Sequence, residues 1–518
     1  MIAVKQSCSS RLGAASNHLK LLAICLLAGM ILSVIDRTDV NWDLQNYHLY
    51  GPFAVLNGRL GTDYFVAGIQ GYLNPLADIP YYVTKFVLFP THPVIVAALA
   101  GLPFGMLAFI VFNIARIMLP DAAAEAMLAG ILGLTGATLL SEVGTVYDDI
   151  LVADILLLGL WAAVAEPRRN AVSAVAGLAA GCAAGLKLTA LVFAPGLLVL
   201  CLLRADCMRA AFRSALLFCL AVALGFLALW GWWGALLWAR FKNPFFPVFG
   251  SIFPSIWSPP VFIRDARFFP RDALQWLFYP FFWLQGRSFI ASEEPLRDPR
   301  FALVYLALAA GLLAVFTRRA QHPPRIIAGL WAFFAISYFF WLLGFSILRY
   351  ALPLEAISGI VIWTAIRPLV KIPGRLAVLI GICVAVIGFT KPIGWGRIGY
   401  AKTLIEAPIP PVSPHSLVFI SGAPIGFVVP YLESRGSVFI SLDWLSRDSA
   451  EFPRARLLAA KAAAIQLLTN APLNPAAAAA INARLAAFGL TYSENDCIPA
   501  HSPVQKTIRL CQVKSAAP

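Results

Sequence analysis

The sequence predicts an all-α polytopic membrane protein of about eleven transmembrane helices, followed by a small C-terminal α/β domain outside the membrane. Three observations predict it. Of the 518 residues, 60% are hydrophobic and only 13% are charged, where a soluble domain carries about 25% charged residues. The mean hydropathy is +0.78, and apolar runs of the length a bilayer requires, about 20 residues, recur as far as residue 390. Beyond that point the chain turns polar, and strand-like runs (LVFIS, SVFIS, TIRLCQV) alternate with Ala-rich helical ones.

The formal charge of +14 would suggest a nucleic-acid partner in a soluble protein. Here it has a simpler source: Arg and Lys collect in the turns between apolar runs, as they do in cytoplasmic loops. The chain has no basic helix with interleaved aromatics, so nucleic acid is not an expected partner.

Lys5, Arg11 and Lys20 precede the apolar LLAICLLAGMILSVI, and Asp36 and Arg37 follow it where a cleaved leader would carry small residues. This is expected to be an uncleaved first span, 19–35, with the N-terminus inside. An outer loop, 36–91, comes next. The second span, 93–119, returns to Asp121; the third, 122–141, leads out to SEVGTVYDD; the fourth, 150–165, comes in to Glu166-Pro167-Arg168-Arg169.

Residues 170–203 then carry one charge, Lys187, between basic ends. A single helix there would run about 51 Å against a hydrocarbon core of about 30 Å. A hairpin of two short spans satisfies both length and charge, and puts Lys187 at its outer tip. Span seven, 214–238, leads to a second long outer loop, 239–300, and span eight, 301–317, returns. Arg325 to Arg367 repeats the hairpin pattern with Arg349 at its outer tip. Span eleven, 376–390, leaves the C-terminus outside. The expected domains are therefore 1–390, with outer loops 36–91 and 239–300, and an extracytoplasmic α/β domain, 391–518. In the latter, Asn474-Pro475 marks a helix start. Cys497 and Cys511 pair in an oxidising compartment or remain two buried thiols.

Chemistry concentrates at three places. The first outer loop holds Asp36, Asp39, Asp43, Asp63 and Asp78, with Tyr47 and His48, in a chain poor in acids. WDLQNYHLYGPFAVLNGR reads as a short helix with Asp43 near its start and Asn57-Gly58 at its end. A second surface helix is expected after Asn74-Pro75, with Tyr81 and Tyr82 as interface anchors. Transfer to a hydroxyl needs a base, and a half-buried carboxylate at the membrane boundary suits that work; the plainer reading of each acid is a solvated charge or a helix cap. The second place is Asp148-Asp149 at the outer end of span four, read as acceptor or metal ligands or as helix-start acids; Asp154 is an acid within that span. The third is the pair of outer cations, Lys187 and Arg349, placed to hold a lipid-linked phosphate, with Arg264, Arg267 and Arg271 of the second loop as further partners. Arg349 paired with Glu355 is the alternative.

A long first outer loop with Asp just after the first span, an acidic second outer loop and an external C-terminal domain together resemble the GT-C class of integral-membrane glycosyltransferases. DLQNYHLYGPFAVLNGR and GLKLTALVFAPG are similar to an uncharacterised bacterial branch of it. The resemblance implies a bacterial inner-membrane enzyme that takes a sugar from a polyprenyl-phosphate carrier on the outer face. It hands that sugar, with inversion, to a glycan, lipid or protein acceptor. Asp43 or Asp36 would be the catalytic acid, with Asp39 also open, since the two adjacent acids common in the class are replaced by Asp36-Arg37. Asp43 is preferred because it starts a helix beside Tyr47 and His48, which would bind substrate. Lys187 and Arg349 would hold the leaving phosphate, so a divalent cation is possible but no cofactor is required. The alternatives are a glycan ligase or polymerase with a lipid-diphosphate donor, and a transporter or flippase. The latter predicts internal repeats and midplane charges, which the sequence lacks.

Overall fold

The computed structural model describes residues 2–165, 170–258, 265–406, 409–432 and 436–516. Arg264 and the basic turn 166–169 lie outside the described residues. The chain forms two compact units: Met1–Asp36, Ala97–Gly231 and Arg264–Trp395 make one, and Arg37–Val96, Trp232–Ile263 and Gly396–Pro518 the other.

The first unit is helical. Helices fall where hydropathy put the apolar runs. Among the described residues, six are long and apolar enough to cross a membrane: Ser16–Asp36, Pro93–Met118, Met208–Phe241, Arg325–Gly344, Leu348–Leu369 and Ile372–Phe389. Shorter apolar helices cover Ala123–Leu134, Ala171–Leu186, Leu188–Leu202 and Arg300–Phe316, and another spans Asp149–Ala165. Small residues let these helices close on one another, since lipid offers no hydrophobic drive between them. A Cβ on Gly105 would stand 2.6 Å from the Cys25 carbonyl oxygen, and one on Gly181 2.1 Å from that of Val222.

A buried polar network ties this unit together. Arg300, fully buried, donates from Nε to the Leu132 carbonyl at 2.6 Å and from Nη2 to that of Thr135 at 2.6 Å. It pairs with Asp298 at 3.0 Å. Asp298 in turn accepts the Ala137 N–H at 2.8 Å. Glu355 accepts the N–H groups of Thr138 and Leu139 at 3.1 and 2.9 Å. Two distant acids thus satisfy the donors that open the Ala137–Glu142 helix, donors its own turn leaves without partners. Glu355 thus has the Thr138 and Leu139 N–H groups and the Asp298–Arg300 pair as its partners, in place of the Arg349 that the sequence offered.

The second unit holds the sheets. Strand β1, Thr38–Asp39, pairs antiparallel with β2, Arg397–Ile398. Strands β3 (Leu417–Ser421), β4 (Val438–Ser441), β5 (Ile465–Thr469), β6 (Leu490–Pro499) and β7 (Arg509–Ser515) form a five-stranded sheet in the order β4-β3-β5-β7-β6. β3 is parallel to both β4 and β5, while β7 is antiparallel to β5 and β6. Asn474 caps the helix that follows it, accepting the Ala477 N–H at 2.8 Å, with Pro475 in its first turn, as the sequence predicts. Of the two readings of Cys497 and Cys511, the disulfide is the one present, joining β6 to β7.

The first loop belongs to this unit, so the units do not divide at residue 390. Tyr64 extends the sheet at β4: its N–H reaches the Phe439 carbonyl and its carbonyl accepts the Ser441 N–H, each at 2.9 Å. Asp63 beside it is held by Arg59 at 2.6 and 2.7 Å, by the Tyr50 hydroxyl at 2.9 Å and by the Phe439 N–H at 3.0 Å. Phe241, Phe246 and Tyr72 pack ring on ring, and Trp233 donates to the Tyr72 carbonyl at 3.0 Å.

Candidate active site

In the second unit, the stretch after β1 folds into a π-turn, Leu44–His48, and a short α-helix, Tyr50–Leu56. It stops at Asn57, where Gly58 takes the left-handed conformation (φ 64°) that glycine adopts without strain. The side chain that caps its start is Asn41, whose Oδ1 accepts the Leu44 N–H at 2.7 Å. Asp39 fixes Asn41, accepting from its Nδ2 at 2.8 and 3.0 Å and from its N–H at 3.0 Å.

Asp43 makes no cap. Its Oδ2 accepts instead the Tyr47 hydroxyl at 3.2 Å, four residues on, where helical spacing brings side chains together. His48 Nδ1 and Asp78 Oδ1 are 2.5 Å apart, and the Tyr47 and His48 rings lie 4.1 Å apart. A carboxylate on one ring nitrogen orients the imidazole and sets its tautomer. The second surface helix starts at Ile79, four residues beyond Pro75, and carries Tyr81 and Tyr82.

The five loop acids therefore differ in kind. Asp63 and Asp39 hold local structure, Asp78 holds His48, and Asp43 holds a phenol. Asp36 is the last residue of the first helix and belongs to the helical unit. Lys85, buried in the same loop, is one the sequence reading passed over. Burial lowers its pKa to about 8, against the upward pull of Asp39.

In the helical unit, the turns that carry Lys187 and Arg349 form a second cluster. Lys187 Nζ donates to Asp149 Oδ1 at 2.6 Å and stands 4.9 Å from the Tyr350 ring centre. The Arg349 guanidinium lies 4.7 Å from the Tyr147 ring and 5.2 Å from the Tyr350 ring, within cation–π reach. Its Nη2 donates to the Tyr350 hydroxyl at 3.4 Å. Tyr350 thus brings the two cations around one ring. Burial lowers the Lys187 pKa, but Asp149 and Tyr350 outweigh it, so the net shift is upward and the side chain stays charged. Asp148 adds its field to the same lysine.

Glu142 completes the cluster. It ends the Ala137–Glu142 helix with 1% of its surface exposed, and neither oxygen has a hydrogen-bond partner. Burial, then the Asp149 charge, push its pKa up against the pull of Lys187 and Arg349. Nothing in its spacing marked it. The available signal was an acid in SEVGTVYDD, in a chain with only 26 Asp and Glu. Of the second-loop arginines, Arg267 pairs with Asp265 at 2.7 Å and Glu293 at 3.9 Å. Arg271 N–H bonds to Gln275.

A half-buried lysine and an arginine on tyrosine faces are suited to a phosphate that arrives with its own charge. The loop carboxylate on a phenol is suited to taking a proton.

No family model matches the sequence, and no curated protein matches it. Among solved structures, the chain is similar to the crystal structure of ArnT from Cupriavidus metallidurans bound to undecaprenyl phosphate, with 18% identity and a TM-score of 0.45. The match covers 72% of this chain and spans 64% of the length of that one. The chemistry assigned to the site rests on its residues.

Proposed function

We propose that this chain is a GT-C class membrane glycosyltransferase. It moves a sugar from a polyprenyl-phosphate carrier to an envelope acceptor on the outer face of a bacterial inner membrane, with its N-terminus inside and its C-terminus outside. The observation that carries the reading is the Lys187–Tyr350–Arg349 arrangement, two cations on one aromatic ring at the tips of two apolar hairpins. Such a pair suits a lipid phosphate better than it suits a neutral solute.

The acceptor oxygen attacks the anomeric carbon as its proton passes to Asp43. The bond from that carbon to the phosphate oxygen breaks, and the carrier leaves as polyprenyl phosphate. Attack opposite the leaving group inverts the anomeric centre. Lys187 and Arg349 hold the charge that grows on the departing phosphate. With two cations at the leaving group, a metal ion is possible but not required. Tyr47 keeps the Asp43 carboxylate oriented, and Asp78 does the same for His48, which binds the acceptor.

The test is reconstitution with a radiolabelled polyprenyl-phosphate sugar and envelope extract. Single-sugar transfer that Lys187→Met and Arg349→Met reduce by about 100-fold or more supports the reading. Transfer of whole glycan chains from a lipid diphosphate, or lipid movement with no transfer, would replace it.

A further inference from the structure

A cavity of about 210 Å³ lies wholly within the second unit. It opens just past the ends of the parallel strands β3 and β4, where Gly422 and Asp443 help to line it. In open α/β sheets, the space beyond the carboxyl ends of parallel strands is where ligands bind. The first loop supplies the opposite wall through Trp42, Asn46 and Gln70.

The lining has a particular chemistry. Trp42 is 44% exposed. Trp444 is stacked on Phe65, with ring centres 5.4 Å apart and 23° between planes. A Cβ on Gly68, itself at φ 60°, would stand 3.0 Å from Trp444 Nε1 and press on the indole. Asp443 is the one charged residue among those lining the cavity. Its carboxylate accepts the Ser421 hydroxyl at 3.1 Å and the Gly422 N–H at 2.7 Å, and it is paired with Arg484. The cavity thus offers two indoles, two amides and a neutralised carboxylate.

Flat apolar rings with planar donors and acceptors at their edge match one ligand class well. A sugar ring has an apolar C–H face and a rim of hydroxyls, each both donor and acceptor. A volume of about 210 Å³ has room for one ring rather than a chain. A charged ligand finds no free counter-charge here.

We propose that this cavity is a saccharide-binding site that takes a single neutral sugar ring between Trp42 and Trp444, with Gln70 and Asp443 on its hydroxyls. The proposal goes beyond the transfer reaction and does not rest on it. A protein that transfers nothing would still bind the sugar.

Titration of the full-length protein in detergent with neutral hexoses, N-acetylhexosamines and adenosine, followed by tryptophan fluorescence, tests it. The expected result is saturable binding of at least one sugar, weakened tenfold or more by Trp42→Ala and by Gln70→Ala. The melting temperature of both variants should match that of the parent, and Asp43→Asn should bind the sugar normally even if it transfers none. Absence of saturable sugar binding, sugar binding unchanged in both variants, or binding of adenosine in place of sugars would each overturn it.

Discussion

Lys187 Nζ sits 2.6 Å from Asp149 Oδ1, with side chains 18% and 4% exposed. The lysine is thus the half-buried partner of a buried carboxylate, and the other Asp149 oxygen has no hydrogen-bond partner. Two charges in low dielectric compensate each other, and removing one strands the other at a cost of about 3–5 kcal/mol. Lys187→Met is expected to lower stability by that order, and Lys187→Met with Asp149→Asn to recover most of it. Thermal unfolding of the three variants in detergent checks this; a double variant no more stable than the single would deny the pairing.

Lys85 gives a pH dependence of defined sign. Its folded pKa is lowered to about 8 by burial, from an ordinary lysine value of 10.5. Between those values the unfolded chain binds more protons than the folded one, so stability rises with pH through that window. Below about pH 8 both states are protonated and the full penalty, about 3 kcal/mol, applies. Lys85→Met should therefore stabilise the protein at pH 7 and flatten its stability between pH 8 and 10. Destabilisation at pH 7 would show that the charge is needed where it lies.

The disulfide between Cys497 and Cys511 closes a loop with a sequence separation of 14. A crosslink of that reach stabilises by about 3 kcal/mol in the chain-entropy account. Cys497→Ser with Cys511→Ser should lower the unfolding midpoint of the tail and leave the helices intact. Differential scanning with circular dichroism at two wavelengths separates these; an unchanged midpoint would contradict the estimate.

Arg300 predicts the converse of a surface pair. It is fully buried and satisfies Asp298 and the carbonyls of Leu132 and Thr135. Arg300→Met would leave Asp298 charged and buried, costing about 3–5 kcal/mol. Glu142, which ends the helix that Asp298 and Glu355 cap, would lose its fixed position. Expression and melting temperature report this loss.

Helix positions were legible because apolar runs and basic turns encode them locally. The Lys187 hairpin shows it: charge at both ends and one lysine midway put its two helices, Asn170–Leu186 and Ala194–Leu202, where they occur. The start of the Pro475 helix was legible for the same reason, since a cap is a local signal. Long-range partners were not. Asp149 lies 38 residues from Lys187, and Glu355 engages Thr138 across 217; no spacing rule links such pairs. Asp63 resembled its neighbours in the loop; Arg59 is a local partner, but the Phe439 N–H that ties it to the sheet lies 376 residues away. The joining of the first loop to the tail was hidden too, because the pairing of Tyr64 with Phe439 and Ser441 runs through backbone groups, which side-chain patterns do not record.

The most direct test of the account is the turnover of Asp43→Asn with a polyprenyl-phosphate sugar, measured beside carrier affinity and melting temperature. Loss of the base should cut turnover by about 10²–10⁴-fold. The amide still accepts the Tyr47 hydroxyl, so carrier affinity should change by less than about twofold and the fold should be kept. Turnover within a few-fold of the parent, with Asp36→Asn or Asp39→Asn abolishing it, would contradict the assignment of Asp43.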